Sequence, residues 1–286
     1  MPIDLAKAIG AELTGPTFSW DDQDVILYHL GIGAGNPPTD PGELRYVYEG
    51  DLRVLPTYAT IPQFSIMMSM GLAAGFDINL AMILHGEHEV VIHQPIPTSG
   101  TVTQTGRVTD VLDKGKGALA LVEVVSVLEK GGRPVFTNRA AIFIRGEGGF
   151  GGDSGPATTD LTPERDPDHI VESPTLPQQA LLYRMASGDK NPLHVDPGLA
   201  AFAGFDRPIL HGLCTYGMVG KAAVDHAVPT GPEDVASFRA RFSGVVFPGE
   251  TLVTRIWEEG DHLVVTAEAK ERSANVLSNG VMSFRP

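Results

Sequence analysis

The chain has 286 residues, of which 42% are hydrophobic, and a formal net charge of −14. This length and composition suit a globular protein with a sizeable core, built as two domains of ordinary size or as one large domain. The negative charge argues against a surface for nucleic acid or for an anionic membrane, so we expect neither as a partner. The single cysteine, Cys214, excludes an internal disulfide and a cysteine-rich metal site.

Neither end of the chain suggests export or membrane insertion. The first residues contain no apolar stretch long enough for a signal peptide, and the last residues lack a peroxisomal address of the Ser-Lys-Leu type. No later apolar run reaches the ~20 residues that a membrane-spanning helix needs. We therefore expect a cytoplasmic protein.

The first half of the chain contains an irregular loop, an apolar segment and a series of strands. Residues 33–37 read Gly-Ala-Gly-Asn-Pro, and Gln63 to Gly75 is a candidate helix. From residue 89 onward, four segments rich in β-branched residues are separated by turn residues, which predicts an antiparallel meander. Residues 148–160 are then rich in glycine and small polar residues and predict a linker. We therefore divide the chain into residues 1–147, this linker and residues 161–286.

The second half carries the strongest chemical signal. Residues 187–194 read Ser-Gly-Asp-Lys-Asn-Pro-Leu-His, and Gly188 and Pro192 prevent an ordinary helix there. A fixed irregular loop must therefore hold the two ionisable side chains, Asp189 and His194, near each other. We interpret this loop as part of an active site.

A second signal follows at His211 and Gly212. They begin an apolar segment that extends to Ala227, in which apolar residues recur near helical spacing, so we predict a buried helix. The first backbone N–H groups of a helix lack helical partners and can receive a developing negative charge. Four further strand-like segments follow this helix, as they do in the first half.

The two halves repeat these signals in the same order, which indicates a duplicated domain. The segment at 28–37, which begins with tyrosine and ends with Asn-Pro, recurs at 183–192. The segment Ile-Leu-His-Gly at 83–86 recurs at 209–212.

The same alignment indicates which half is catalytic. It places Ala34 opposite Asp189 and Thr39 opposite His194, so the first half has lost both ionisable groups. We therefore predict that the second half is catalytic and that the first half is a structural and substrate-holding partner.

These segments resemble the MaoC-like hydratases, and most closely the (R)-specific 2-enoyl-CoA hydratases known as hydratase 2. Residues 83–87, 111–115 and 148–152 add to the likeness, which therefore covers nearly the whole chain. The resemblance implies an α+β fold of the double hot-dog type, with two repeats whose antiparallel sheets each wrap a central helix. Periodicity alone indicates only α+β.

The resemblance also implies an activity, the reversible syn hydration of a trans-2-enoyl-CoA to a (3R)-3-hydroxyacyl-CoA in fatty-acid metabolism. This reaction needs a base for the water, a proton for C2 and a donor to the enolate-like thioester oxygen. Asp189 and His194 can hold one water and act as base and acid in either assignment. By resemblance, the N–H of Gly212 is the oxyanion donor. The implied substrate-binding residues are His85, Gly86, Lys114, Lys190, Asn191, Pro192, Leu193 and Phe242.

The roles of two side chains near this site stay open. Asn191 could orient the acyl group or simply hold the loop, and the sequence favours neither. His211 has no assigned proton, so we interpret it as structural.

We expect neither a metal nor a cofactor beyond the coenzyme A of the substrate. The histidines and Asp189 show no three-ligand cluster at metal-binding spacing, and the chain contains neither a dinucleotide-binding nor an acyl-enzyme serine motif. The expected partners are an acyl-CoA thioester and a second copy of the chain in a homodimer.

Two alternative functions remain. A hot-dog acyl-CoA thioesterase would also use a carboxylate and a water, but would attack the carbonyl carbon. A non-catalytic subunit that binds acyl thioesters would not need both Asp189 and His194.

The candidate helix of the first half is rich in methionine, a flexible side chain that suits ligands of varying length. Our hypothesis is that Met67, Met68, Met70 and the nearby Met82 line a cavity for the distal acyl chain.

Overall fold

The computed structural model describes residues 3–77 and 82–285, apart from the side chains of Met68 and Leu72. The α-helices are α1 (Leu5–Ala8), α2 (Asp22–Gly31), α3 (Pro41–Val47), α4 (Phe64–Ser69), α5 (Gln179–Ser187), α6 (Pro197–Phe202) and α7 (Gly212–Ala227). The strands are β1 (Glu12–Leu13), β2 (Phe18–Trp20), β3 (Ile83–Ile92), β4 (Gly100–Asp113), β5 (Gly117–Leu128), β6 (Pro134–Arg145), β7 (His169–Pro174), β8 (Val235–Phe242), β9 (Thr251–Glu258), β10 (His262–Ala269) and β11 (Ala274–Phe284). Short 3₁₀ turns occur at Glu49–Asp51, Pro56–Thr60, Met70–Leu72, Pro192–His194, Pro232–Asp234 and Lys270–Arg272.

The described strands form one continuous antiparallel sheet across both halves of the chain. Its order is β1-β4-β5-β6-β3-β8-β11-β10-β9-β7, and β2 pairs with β4 beside β1. The halves meet where β3 pairs with β8, from Glu87 opposite Arg241 to Val91 opposite Ser237. On each side of this junction the strands follow the same sequence order, which confirms the expected double hot-dog fold.

Helix α7 is the central helix of the second half. Its 16 residues are largely buried, and they pack against β7 to β10 and against the 3₁₀ turn at Pro56–Thr60 from the first half. Because α7 is apolar on most of its surface, it can be stable only when covered on several sides. No helix among the described residues is long and apolar enough to cross a membrane.

Two glycines in α7 allow this close packing. A Cβ on Gly217 would lie 2.7 Å from both Ile32 Cγ2 and the Tyr28 hydroxyl, and one on Gly220 would lie 2.7 Å from Thr57 Cγ2. These glycines therefore face mainly the helical layer of the first half rather than the sheet.

A partly buried ionic cluster also joins the halves. Lys221 Nζ lies 2.8 Å from Asp225 Oδ2 within α7 and 2.5 Å from Glu43 Oε1 in α3. The hydroxyl of Tyr46 donates to Asp225 Oδ1 at 2.7 Å. Each charge in this cluster has a partner, which offsets the cost of removing it from water.

The first half has no comparable central helix among its described residues. The segment predicted as one helix, Gln63 to Gly75, forms only the six-residue α4 and a 3₁₀ turn at Met70–Leu72. Gln63 makes no side-chain cap, and Gly71 and Gly75 follow within the segment, with Gly75 at φ +85°. Glycine and missing capping both disfavour continuation of a helix.

The methionines of this segment belong to a second, smaller core. Met70 is 2% exposed and Met67 packs against that core, whereas Met82 is 39% exposed. The side chain of Met68 lies outside the described set. The acyl-chain hypothesis for these residues stays a prediction.

One part of the repeat alignment was wrong. Residues 83–86 lie inside β3, whereas 209–212 lead into α7, so the two Ile-Leu-His-Gly segments occupy different places in the fold. In the sheet order, β3 corresponds to β8. Short identical motifs can therefore recur without structural equivalence. The alignment of α2 with α5 is supported, because these helices pack together with Tyr28 and Tyr183 in contact.

We expect Gly217→Ala to destabilise the protein by about 1–3 kcal/mol, because the new methyl group overpacks the contact with α2. The urea midpoint of unfolding measures the change. Tyr28→Phe removes one of the two atoms that the methyl group meets, so the double variant should recover part of the loss. Equal or greater stability of Gly217→Ala would show that α2 can move away freely.

Candidate active site

Helix α5 ends where the catalytic loop begins. Gly188 is its C-cap with φ +70°, a left-handed conformation that favours glycine, and its N–H donates to the carbonyl of Arg184 at 3.2 Å. The chain therefore turns sharply away from the helix axis. This turn places Asp189 at the start of the loop, half-buried.

Two successive side chains hold the loop. Asp189 Oδ1 accepts the N–H of Asn191 at 2.9 Å, and Asn191 Oδ1 accepts the N–H of Leu193 at 3.0 Å. Both are turns of the type that Asp and Asn favour. For Asn191 this contact supports the loop-holding alternative. Lys190 and Pro192 are exposed and Leu193 is half-buried.

His194 is fixed in one tautomer. Its Nδ1 lies 2.9 Å from the carbonyl of Ile209, which can only accept, so Nδ1 carries the hydrogen when the ring is neutral. Burial lowers the pKa of His194 below its usual range, which favours the neutral ring. Nε2 is then an unprotonated acceptor that is free to take a proton.

His211 completes a cluster that the spacing of residues did not predict. One ligand atom from each of Asp189, His194 and His211 lies within 4.8 Å of the others. The two imidazole rings stack with centroids 3.7 Å apart and an interplanar angle of 26°.

Gly212 is the first residue of α7 and lies beside this cluster. Within the described residues, the N–H groups of Gly212 and Leu213 donate to no protein acceptor, as expected for a helix N-terminus. A Cβ on Gly212 would lie 3.4 Å from the ring of Phe242. The ring of Phe242 therefore lies beside the start of α7, and an apolar neighbour strengthens the interaction of the unpaired N–H groups with a developing negative charge.

His85 packs against Phe242 and is held by two residues that the sequence did not identify. Its ring meets Phe242 edge to face at 5.0 Å, and its Nε2 lies 3.2 Å from His88 Nδ1. His88 Nε2 lies 3.0 Å from Asn138 Oδ1, and Asn138 donates to the carbonyl of Ala59. Burial lowers the pKa of His85 to about 4 and that of His88 to about 3.

The directions of these hydrogen bonds follow from one fixed group. The Ala59 carbonyl accepts from the Asn138 amide, so Asn138 Oδ1 accepts from His88 and His88 Nδ1 accepts from His85. His85 is therefore a neutral ring with a fixed orientation against Phe242. Gly86 lies next to it, where a Cβ would be 3.0 Å from the Ala141 carbonyl.

The glycine-rich segment that we predicted as a linker is tied to the turn between β4 and β5. Asp113 accepts the N–H groups of Gly115, Gly149 and Gly151 at 2.7–2.8 Å, and Lys114 Nζ donates to the carbonyl of Ser154. These N–H groups, that of Gly149 most strongly, hold the pKa of Asp113 below its usual range.

This tie shapes the surface around Lys114. A Cβ on Gly148 would lie 2.6 Å from the Gly115 carbonyl, so only glycine allows such an approach. Lys114 stands on that turn and is exposed.

The corresponding loop of the first half lacks this chemistry. Ala34 is buried, Thr39 is exposed, and neither side chain can exchange a proton near neutral pH. The structure therefore places both proton-transfer groups of the aligned positions in the second half.

Comparisons with known proteins cover both halves. The family model of the MFE-2 hydratase 2 N-terminal domain matches residues 18–146, and that of the MaoC like domain matches residues 158–280. The enoyl-CoA hydratase ChsH3 of Mycobacterium tuberculosis is 46% identical over 98% of this chain and 98% of its own.

Solved structures of other proteins share this fold. A MaoC-like dehydratase from Phytophthora capsici is 32% identical over 99% of this chain and 98% of its own, with a TM-score of 0.87. A Mycobacterium tuberculosis protein described as a double hotdog fold covers 96% of each chain at 13% identity and a TM-score of 0.58, which supports the fold alone. The chain belongs to the MaoC-like, hydratase 2 family.

We expect Asp189→Asn and His194→Gln each to remove most turnover while leaving the fold intact, because the two groups act on one water. As they act as a unit, the double variant should be little slower than either single variant. Steady-state rates and circular dichroism of the purified proteins measure both effects. Asp196→Asn, which neutralises the N-cap carboxylate of the nearby α6 but keeps its acceptor oxygen, is the control and should keep its rate. Near-normal rates in either folded site variant would contradict the assignment.

We expect Asp113→Asn to raise KM for a coenzyme A ester several-fold with little change in kcat, because the amide cannot accept all three N–H groups. Limited proteolysis should then cut between residues 146 and 155 more quickly. The control is Asp153→Asn, which removes a nearby charge but keeps an acceptor for the single N–H of Gly155. If Asp113→Asn matches wild type in both measurements, the tie does not shape the substrate groove.

Proposed function

We propose that the chain catalyses the reversible syn hydration of trans-2-enoyl-CoA thioesters to (3R)-3-hydroxyacyl-CoA thioesters in fatty-acid metabolism. The observation that carries this proposal is the position of Asp189 and His194, which each place a ligand atom within 4.8 Å of the other beside the N-terminus of α7. That arrangement supplies a proton acceptor, a carboxylate and an oxyanion donor to one small volume. The hydratase names of full-length relatives agree with it.

The tautomer of His194 suggests the order of proton transfers. His194 Nε2 takes a proton from the water as the water oxygen bonds to C3. The electron pair of C2=C3 moves toward the thioester oxygen, where the N–H of Gly212 stabilises the charge. The imidazolium then gives its proton to C2, which restores the neutral ring and completes the addition of one water.

In this scheme Asp189 remains a carboxylate. It accepts the second hydrogen of the water and stabilises the transient imidazolium. A single group that both removes and returns the proton suits syn addition, because both new bonds form on the face of the substrate that His194 meets.

Three further residues would bind the ester. We propose that His85 and Phe242 contact the thioester end, because they adjoin Gly212. Lys114 would meet the coenzyme A moiety, which carries phosphate groups that a protein of net charge −14 must attract locally.

The thioesterase alternative has less support. It would use the same donor to the thioester oxygen, so the donor does not separate the two reactions, but full-length relatives carry hydratase names. A non-catalytic subunit that only binds acyl thioesters would have no function for the unprotonated Nε2 of His194.

The test is turnover of enoyl-CoA esters of several lengths, followed by the absorbance of the conjugated thioester and by chiral analysis of the product. We expect loss of absorbance, a (3R)-hydroxyacyl product and no release of free thiol. The Asp189→Asn protein gives the background rate. Thiol release at the rate of absorbance loss would favour the thioesterase, and an inactive wild-type protein that still binds the ester would favour the subunit.

We further propose a cytoplasmic homodimer without metal or organic cofactor. Support for the location comes from the single cysteine, which is free and buried. Light scattering of the purified protein and fractionation of its native cells would decide both points.

A further inference from the structure

His211 is a buried polar side chain that the scheme above leaves unused. It is 2% exposed, and neither ring nitrogen has a partner at hydrogen-bond geometry among the residues that the structure describes, although the backbone of Asp189 lies near enough to favour the charged ring slightly. Its ring lies between His194, at 3.7 Å, and Tyr183, at 5.0 Å. Burial, with the nearby His194 adding to it, lowers the pKa of His211 to about 2, so the ring is neutral and carries one N–H.

Two unpaired buried nitrogens are costly in a purely structural position. A buried polar atom without a partner costs about 1–3 kcal/mol, and an aromatic residue such as phenylalanine would stack on His194 without that cost. The position of His211 therefore suggests a partner that arrives with the substrate.

The size of the cluster fits a water molecule as that partner. Three atoms that lie at most 4.8 Å apart can all be about 2.8 Å from one point, the usual length of a hydrogen bond to water. Water is chosen here because the proposed reaction consumes one.

Counting hydrogen bonds assigns a role to each group. A water has two hydrogens and two lone pairs. Asp189 and the bare Nε2 of His194 accept the two hydrogens, so the remaining polar contact to the water must be a donor. The neutral ring of His211 has one N–H to donate. One lone pair of the water then stays free, and this is the pair that attacks C3.

We propose that His211 is a third polar contact of the reacting water, donating an N–H to one lone pair so that the other points at C3 of the enoyl group. This inference rests on the proposed hydratase activity. It assigns His211 a positioning role rather than proton transfer, since the N–H is neither lost nor gained during turnover.

The test is His211→Phe, which keeps a ring of similar size between His194 and Tyr183 but removes the N–H. We expect kcat to fall by about 10- to 100-fold, less than the loss of an oxyanion-hole donor causes, because His211 orients the water and does not stabilise the developing charge. KM for crotonyl-CoA should change less than threefold. The thermal midpoint should stay level or rise, because two unpaired buried nitrogens are gone. A loss of rate without a loss of stability is not expected from a structural role.

Two further variants complete the design. Tyr28→Phe removes another unpaired buried polar atom, outside the site, and should leave kcat unchanged. His211→Gln restores an N–H donor and should be faster than His211→Phe. A folded His211→Phe protein with the wild-type kcat overturns the proposal. So does a loss of stability that parallels the loss of rate in both His211 variants. If wild type itself hydrates no enoyl-CoA, the proposed activity fails before the role of His211 is tested.

Discussion

The hydrogen bond between His194 Nδ1 and the Ile209 carbonyl is the contact on which the active site depends. It joins the catalytic loop to the segment that leads directly into α7, so the loop and the helix N-terminus cannot shift independently. The same bond selects the tautomer of His194 and leaves Nε2 available. One interaction therefore sets both the chemistry of the base and its distance from the oxyanion donor.

The duplicated fold encloses the hydrogen bond between His194 and Ile209. Because β3 pairs with β8, the sheet continues without an edge between the halves, and the helical layer of the first half covers α7. The first half has a short α4 where the second has a full central helix. The loop that corresponds to the catalytic loop also lacks proton-transfer groups. The first half nevertheless supplies His85, and its turn at Asp113 shapes the adjoining surface.

Two groups of polar side chains differ in whether they have partners. Those of the cluster at Lys221 and Asp225 have partners within the chain, as a structural role requires. Those at the site, His194 Nε2 and both nitrogens of His211, do not. Since an unpaired buried group costs free energy, its presence beside a helix N-terminus marks where a ligand completes the hydrogen bonds. The position of a buried polar atom is thus less informative than whether it has a partner.

The duplicated α+β architecture, the family and the Asp189 to His194 loop follow from the order of the residues. These depend on local signals, namely turn residues, alternation and a helix that starts at a glycine, which act over a few neighbouring residues. The contacts of His211 appear only in the folded chain, because its stacking on His194 joins residues 17 positions apart through a folded loop. The same holds for Asp113, whose contacts with Gly149 and Gly151 join residues 36 and 38 positions apart. The two Ile-Leu-His-Gly segments diverge for this reason as well: identical residues adopt a strand or start a helix according to what packs against them.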